Sequence, residues 1–307
     1  MGNHLEKPEE ILKGIETSHF AKKLRRAIIK DNHHVCQKKN REILDNRIHL
    51  KIIEDLMHSY YRYIWNSNFS SPVEQMLQSG ANVLDLGCGF GQWLIDLGKE
   101  YPGCDYVGID YEENFQSQFN VPKNVKFLKH NFLLNGIPYK DNTFDFIHMK
   151  IMMKCFTEAE WKTLMVPEIF RVCKPGGWIE IIDSDYEVFN IGPKTRNYHQ
   201  ARKIDLYEII NEISTNLNQL QDIMNESQEL GFTIIKEKIS AWYPIQHQNS
   251  DETFEIASEV LNSIYPFMSS NTKINRADYK TLSEQIIKEI AVNKSYSKTY
   301  RMITQKQ

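Results

Sequence analysis

A glycine-rich turn that directly follows a run of buried-strand character is the feature that most constrains this chain. Residues 83–93 read VLDLGCGFGQW. Gly87 and Gly89 allow the backbone to turn tightly and to approach a ligand, and Gly91 lets the next helix pack close to the strand. Since a plain turn needs one or two glycines, three in this register predict a strand, loop and helix that bind a cofactor.

The spacing of these glycines separates the turn from the dinucleotide-binding fingerprint. The pattern G-x-G-x-x-G, counted from Gly87, requires glycine at position 92, where this chain has Gln92. The next predicted strand ends at Asp110, whose carboxylate can accept two hydrogen bonds from a ribose diol. Dinucleotide enzymes also carry an acidic residue there, so Asp110 alone does not distinguish the two kinds of cofactor.

Short apolar runs alternate with helical stretches after Pro72, which predicts a parallel sheet with helices on both faces. The predicted strands are Asn82 to Leu86, Tyr106 to Asp110, Val125 to His130, Phe144 to Met149, Trp178 to Asp183, Phe232 to Ile239 and Lys298 to Thr304. The predicted helices are Asp45 to Trp65, a segment after a capping box at Thr157 and Glu160, Asn197 to Leu230, Asp251 to Tyr265 and Arg276 to Val292. The sequence Lys174 to Gly177 stops one helix and turns into the fifth strand.

Further motifs follow in a fixed order and carry a family resemblance. HNF (residues 130–132), FDFIHM (144–149) and FRVCKPGGWIEI (170–181), together with the glycine-rich turn, resemble the class I S-adenosylmethionine-dependent methyltransferases. YRYIW (61–65) and NFSSP (68–72) are similar to fungal methyltransferases of the LaeA-like group. The resemblance implies a Rossmann-like α/β fold with a mostly parallel seven-stranded sheet, an antiparallel last strand and S-adenosylmethionine as cofactor.

The resemblance also implies which residues bind the cofactor: Asp85, Gly87, Cys88, Gly89, Gly91, Asp110, Tyr111, Asn131, Phe132 and Met149.

Several of these residues have a second interpretation. Asp85 can hold the loop or accept from an ammonium group, and Asp110 can cap a helix. Tyr111 can stack on adenine or cover the sheet edge, and Asn131 with Phe132 can contact adenine or serve turn chemistry. In the aromatic cluster of residues 60–65, we expect one or two side chains to line a cofactor lid.

The predicted reaction is in-line attack of a small-molecule acceptor on the cofactor methyl group, in which proximity and orientation supply most of the acceleration. His148 is a candidate for a general base, and a core role is the alternative. The turn after the fourth strand lacks the N/D-P-P-Y/F pattern that accompanies methylation of base amino groups. A rival hypothesis is a LaeA-like regulatory protein that acts through protein partners. A nicotinamide oxidoreductase is disfavoured by Gln92.

Composition limits the partners. The formal net charge of −3 gives no reason to expect nucleic acid or an acidic membrane, although the N-terminal arm is basic. Five widely spaced cysteines indicate reduced thiols and no metal site. A signal peptide and a membrane span are not predicted, so we expect a cytoplasmic or nuclear protein. The predicted organisation is a partly ordered arm (1–44), a helical lid (45–72), a cofactor-binding core (73–190) and a C-terminal part that completes the sheet and caps the acceptor site (191–307).

Overall fold

In the computed structural model, the chain forms two compact units. One consists of Met57–Asp185, Ile213–Lys238 and Lys298–Gln307, and the other of Met1–Leu56, Tyr186–Glu212 and Ile239–Ser297. The residues that the structure describes are 51, 54–55, 57–117, 120–184, 188–198, 217–225, 234–241, 261, 265 and 274–307. The predicted N-terminal arm, 1–44, lies outside them.

A mixed sheet forms the centre of the unit that begins at Met57. Its strands are β1 (Asn82–Leu86), β2 (Asp105–Asp110), β3 (Val125–Lys129), β4 (Phe144–Lys150), β5 (Cys173–Ser184), β6 (Ile234–Ala241) and β7 (Tyr296–Gln305), in the order β3-β2-β1-β4-β5-β7-β6. Strands β1 to β5 pair in parallel, and β7 pairs antiparallel with β5 from Trp178↔Gln305 to Ser184↔Thr299. The mostly parallel Rossmann-like class and the antiparallel β7 are therefore confirmed.

Strand β5 begins five residues before its predicted start at Trp178. Cys173 pairs with Phe144, and the register then shifts so that Trp178 pairs with Phe146. Gly176 adopts φ 77°, which accommodates the irregularity. Beyond the end of β7, Lys306 exchanges backbone hydrogen bonds with Gly176 and Gly177. The Lys-Pro-Gly-Gly segment was predicted as a turn, but pairing on both sides draws it into the strand.

Helices cover both faces of this sheet. They are α1 (57–65), α2 (Glu74–Ser79), α3 (Gln92–Glu100), α4 (Phe132–Asn135), α5 (Glu158–Glu160), α6 (Val166–Val172) and α8 (Leu217–Asn225), with π-helical turns at Trp161–Met165 and 3₁₀ turns at Asn114–Ser117 and Met153–Cys155. The capping box of Thr157 and Glu160 is present as predicted. Between β3 and β4, the described chain forms the single helical turn α4.

Alternate residues along the strands supply two apolar cores. Leu84 and Leu86 of β1 face a core that includes residues of α4, α6 and α8. Val83, on the opposite face, packs in a core with Trp93, Leu94 and Leu97 of α3. The period of two along β1 therefore places Asp85 on the α3 face.

The other unit has its own small core. Helix α9 (Arg276–Asn293) begins with the side chain of Asn275 accepting from Asp278 N. Its apolar face packs with Tyr198 and Leu261. The Glu289 carboxylate accepts from Thr195 N at 2.7 Å, which caps a short helix, α7 (193–198). The predicted helices 197–230 and 251–265 lie largely outside the described residues. In the part of the chain that the structure describes, no helix has the length and apolarity that crossing a bilayer requires.

Candidate cofactor site

The glycine-rich turn joins β1 to α3 at the carboxyl edge of the sheet. Gly87, Gly89 and Gly91 have φ of 71°, 54° and 80°, a region that residues with a Cβ rarely adopt. A Cβ at Gly91 would overlap the ring of Phe127, and one at Gly87 would overlap the side chain of Met152. The local backbone therefore requires glycine at these positions, as the sequence predicts.

Strand β2 holds this turn in place. Gly87 N and Cys88 N both donate to Ile109 O, at 2.8 and 3.2 Å. Gly89 N donates to Asp110 Oδ2 at 2.8 Å, and Glu112 N donates to Asp110 Oδ1 at 2.9 Å. A carboxylate offers about four lone-pair sites. Asp110 can therefore anchor the turn and still accept two hydrogen bonds from a diol.

Burial raises the pKa of Asp110 above its ordinary value, and the nearby carboxylates of Glu112 and Asp85 act in the same direction. The hydrogen bonds from Glu112 N and Gly89 N oppose the rise. Asp85 and Asp110 thus place two carboxylates beside one turn, an arrangement that favours a ligand with cationic groups and hydroxyl donors.

The raised pKa predicts how ligand affinity depends on pH. Asp110 is predicted to accept from ribose hydroxyls in its ionised form, so the affinity for 5′-methylthioadenosine should fall as the pH falls through the pKa of Asp110. Because that pKa is raised, the fall should begin at a higher pH than for an ordinary aspartate. Calorimetric titration at a series of pH values measures it. Asp110→Asn is the matched control, and an equal pH slope in that variant would contradict the prediction.

A buried polar row crosses the sheet on its α3 face. Asp85 of β1 is in register with His148 of β4, which is in register with Glu180 of β5. His148 Nδ1 lies 2.7 Å from Asp85 Oδ1, and the imidazole is fully buried. The Trp93 ring stacks on it with centroids 3.7 Å apart and planes at 6°. His148 lies in the interior and does not reach solvent, which favours the core role over the general-base role.

Glu180 belongs to a second network that the sequence did not indicate. Its carboxylate accepts from Ser70 N, from Ser71 N at 2.7 Å and from Ser71 Oγ at 2.7 Å. Arg301 of β7 lies 3.4 Å from it, donates to Ser67 O at 2.8 Å and lies over the Trp65 ring. These contacts fix the segment between α1 and α2 to the sheet.

The segment after β4 also takes a defined path. Ile151 has φ 57°, an uncommon conformation for a β-branched residue, and its N–H donates to Ile182 O at 2.8 Å. Asp183 Oδ2 accepts from Met153 N at 2.8 Å. The side chain of Met152 packs against Gly87. Met152 and Asp183 therefore shape the edge beside the glycine-rich turn, and no sequence motif identified them.

The other predicted cofactor residues differ in position. The Asn131 side chain accepts from Leu133 N and caps α4, which is the turn chemistry considered for it. Phe132 and Met149 are buried in the core on the α4 face. Cys88 is buried in the core on the α3 face, and Tyr111 is partly exposed. Contact of these five residues with the cofactor stays a prediction.

Helix α1 packs against β5 within the same unit. Tyr61 and Trp65 are buried with Ile182, and the Tyr61 hydroxyl bonds to Ser184 Oγ, whereas Tyr63 is exposed. His58 Nε2 lies 3.0 Å from Asp96 Oδ2 of α3. Burial lowers the pKa of His58, and the bond to Asp96 opposes that shift. Two aromatic residues thus anchor the helix, whereas their role as a cofactor lid stays a prediction.

Groups of three or more metal-binding side chains do not occur among the described residues, and Cys88, Cys104, Cys155 and Cys173 are free thiols.

Comparison with known proteins relates this site to methyl transfer. Residues 83–177 match the family model "Methyltransferase domain". The secondary metabolism regulator LaeA of Aspergillus flavus is 28% identical over 231 residues, which cover 67% of this chain and 59% of that protein. The protein-methionine methyltransferase LaeA of Emericella nidulans is 26% identical, with coverage of 69% and 59%. The chain thus spans about three fifths of the length of these relatives.

Among solved structures, the chain is similar to phosphoethanolamine N-methyltransferase 2 of Haemonchus contortus in complex with S-adenosyl-L-methionine. The TM-score is 0.44 and the sequence identity 15%, and the match covers 83% of this chain and 57% of that one.

Proposed function

We propose that this chain, a class I S-adenosylmethionine-dependent methyltransferase related to LaeA, transfers the methyl group of its cofactor to a small-molecule acceptor. The observation that carries the proposal is the hydrogen bond that joins the glycine-rich turn to Asp110 within the matched domain. When bound, the cofactor supplies an electrophilic methyl group on a sulfonium. The chain's own residues bind it, orient it and shield it from water.

The residues at the site fit this cofactor. Asp110 retains acceptor capacity for the ribose hydroxyls while it holds Gly89 N. Asp85, buried beside the same turn, supplies negative charge opposite the ammonium and sulfonium groups. Gln92 occupies the position of the third dinucleotide glycine, so the turn is not built for a pyrophosphate.

The burial of His148 bears on the mechanism. Its ring nitrogen Nδ1 is bonded to Asp85 and the side chain is fully buried, so the proposed mechanism does not use it as a general base. Acceleration then comes from holding the nucleophile in line with the methyl group, which proximity and orientation can supply. Since His148 was the candidate base among the described residues, we propose an acceptor that needs no deprotonation in the transition state.

A protein acceptor is the second candidate. The relatives include a protein named as a protein-methionine methyltransferase and others named as regulators of secondary metabolism. A methionine thioether needs no base, which agrees with the interior position of His148. In this alternative the chain acts on, or through, protein partners.

Transfer of a radioactive methyl group separates the two candidates. The purified chain is incubated with methyl-labelled S-adenosylmethionine and with two fractions of a fungal extract, one of small molecules and one of proteins. Label in the small-molecule fraction supports the main proposal, and label in protein supports the second candidate. Label in a methionine sulfonium would identify the thioether.

The control is Asp110→Asn, which should reduce labelling of either fraction. Label that persists at the wild-type rate in this variant would show that the transfer is not made at this site. Titration with NADH and S-adenosylhomocysteine checks the cofactor, and a preference for NADH would refute the proposal.

A further inference from the structure

We infer that His148 is a positioning residue that orients the Asp85 carboxylate toward the ammonium group of the cofactor. The inference rests on the proposed function, because it takes S-adenosylmethionine as the ligand. It assigns a role to a side chain that lies in the interior and touches no part of the reaction.

The imidazole of His148 is held in one orientation. Strand pairing fixes its backbone in register with Asp85, and Nδ1 lies 2.7 Å from Asp85 Oδ1. The stacked Trp93 ring, 3.7 Å between centroids, prevents rotation about the side chain. Trp93 is itself fixed, because its indole N–H donates to Asn68 O at 2.9 Å. Nδ1–H can therefore donate to only one place, the Asp85 carboxylate.

Among the described residues, the His148 side chain forms a hydrogen bond with Asp85 alone. Glu180 is its neighbour on the other side of the row, but the Glu180 carboxylate is engaged by Ser70, Ser71 and Arg301. The buried Nε2 of His148 has no hydrogen-bond partner within the described chain. The imidazole is thus not a bridge between two carboxylates, and its one bond determines the orientation of Asp85.

Asp85 is not needed to hold the glycine-rich turn. The turn is held by Ile109 O and by Asp110, as the bonds from Gly87, Cys88 and Gly89 show. The neighbours of Asp85 along β1 are Val83, Leu84 and Leu86, all apolar and buried. A buried carboxylate is costly, and an apolar residue would fill this position at less cost. The carboxylate two residues before Gly87 is explained if it receives a cationic group.

The test compares two ligands that differ in the amino-acid part. S-adenosylhomocysteine carries the ammonium group, whereas 5′-methylthioadenosine lacks the amino acid and keeps the nucleoside. A residue that acts through Asp85 affects only the first ligand, and a residue that merely supports the fold affects both. Calorimetric titration of the full chain gives the ratio of the two dissociation constants.

His148→Asn and His148→Gln form a matched pair of polar variants. The amide nitrogen of asparagine takes the place of Nδ1 and can donate to Asp85, whereas that of glutamine takes the place of Nε2 and is directed away. We expect His148→Gln to weaken binding of S-adenosylhomocysteine about tenfold, and 5′-methylthioadenosine less than about twofold. His148→Asn should retain the wild-type ratio to within about threefold.

Equal losses for both ligands, or the same ratio in the two variants, would overturn the inference. Asp85→Asn gives a second measurement that does not depend on the folding of the His148 variants. It should reproduce the selective loss of S-adenosylhomocysteine, and wild-type binding of that ligand would also overturn the inference. If the wild-type chain binds neither ligand, the proposed function itself fails.

Discussion

Replacing Glu180 with alanine should destabilise the unit that contains the sheet by about 3–5 kcal/mol. The Glu180 carboxylate is fully buried and accepts from Ser70 N, Ser71 N and Ser71 Oγ, and Arg301 lies 3.4 Å away. The substitution removes these acceptors and leaves the Arg301 guanidinium, which is 1% exposed, without a counter-charge. Urea unfolding followed by tryptophan fluorescence measures the change.

Two variants test the cause. Lys129→Ala removes an exposed ion pair with Glu113, at 3.8 Å, and should change stability by about 0–1 kcal/mol. The double variant Glu180→Leu with Arg301→Met removes both buried charges and should recover a large part of the loss. A loss below about 1 kcal/mol in Glu180→Ala would show that the buried charge of Arg301 finds compensation elsewhere.

The buried surroundings of Glu180 also change the pKa of the Arg301 guanidinium. Burial lowers the pKa of Arg301 to about 10, and Glu180 opposes that shift. The side chain is therefore charged at neutral pH, so loss of Glu180 leaves a cation inside the protein. This charge explains why removing one partner costs more than removing both.

Asp110→Ala should weaken binding of S-adenosylmethionine and S-adenosylhomocysteine about 100-fold or more. The substitution removes the acceptor that we propose for two ribose hydroxyls, and each hydrogen bond to a charged group contributes about 1.5–3 kcal/mol. It also removes the acceptor of Gly89 N, at 2.8 Å, so the glycine-rich turn loses an anchor. Calorimetric titration of both ligands measures the loss.

The matched control is Asp105→Ala. Asp105 is an exposed aspartate at the opposite end of the same strand, β2, and its replacement should leave the affinity within about twofold. Affinity retained in Asp110→Ala would mean that the ribose is bound elsewhere. A loss in both variants would indicate damage to the strand rather than to the site.

The sequence determined the glycine-rich turn and most strand boundaries, because these features depend on residues that are close together in the chain. The glycine-rich turn needs left-handed backbone at Gly87, Gly89 and Gly91, and glycine adopts it without strain. β1 matches its prediction, and the other described strand ends lie within about two residues except at Cys173. The position of Asp110 could also be predicted, because the end of the next parallel strand must lie beside the turn.

Only the tertiary structure decided the contacts between residues far apart in the chain. Asp85 and His148 are 63 positions apart, and Glu180 and Ser71 are 109 apart, so no spacing rule joins them. Strand order and register bring Asp85, His148 and Glu180 into one row. The sequence alone determined that this chain has a glycine-rich turn with an acidic partner at the end of the next strand. Packing decided that His148 faces the interior, because the side-chain face at each position of β4 depends on the register of the sheet.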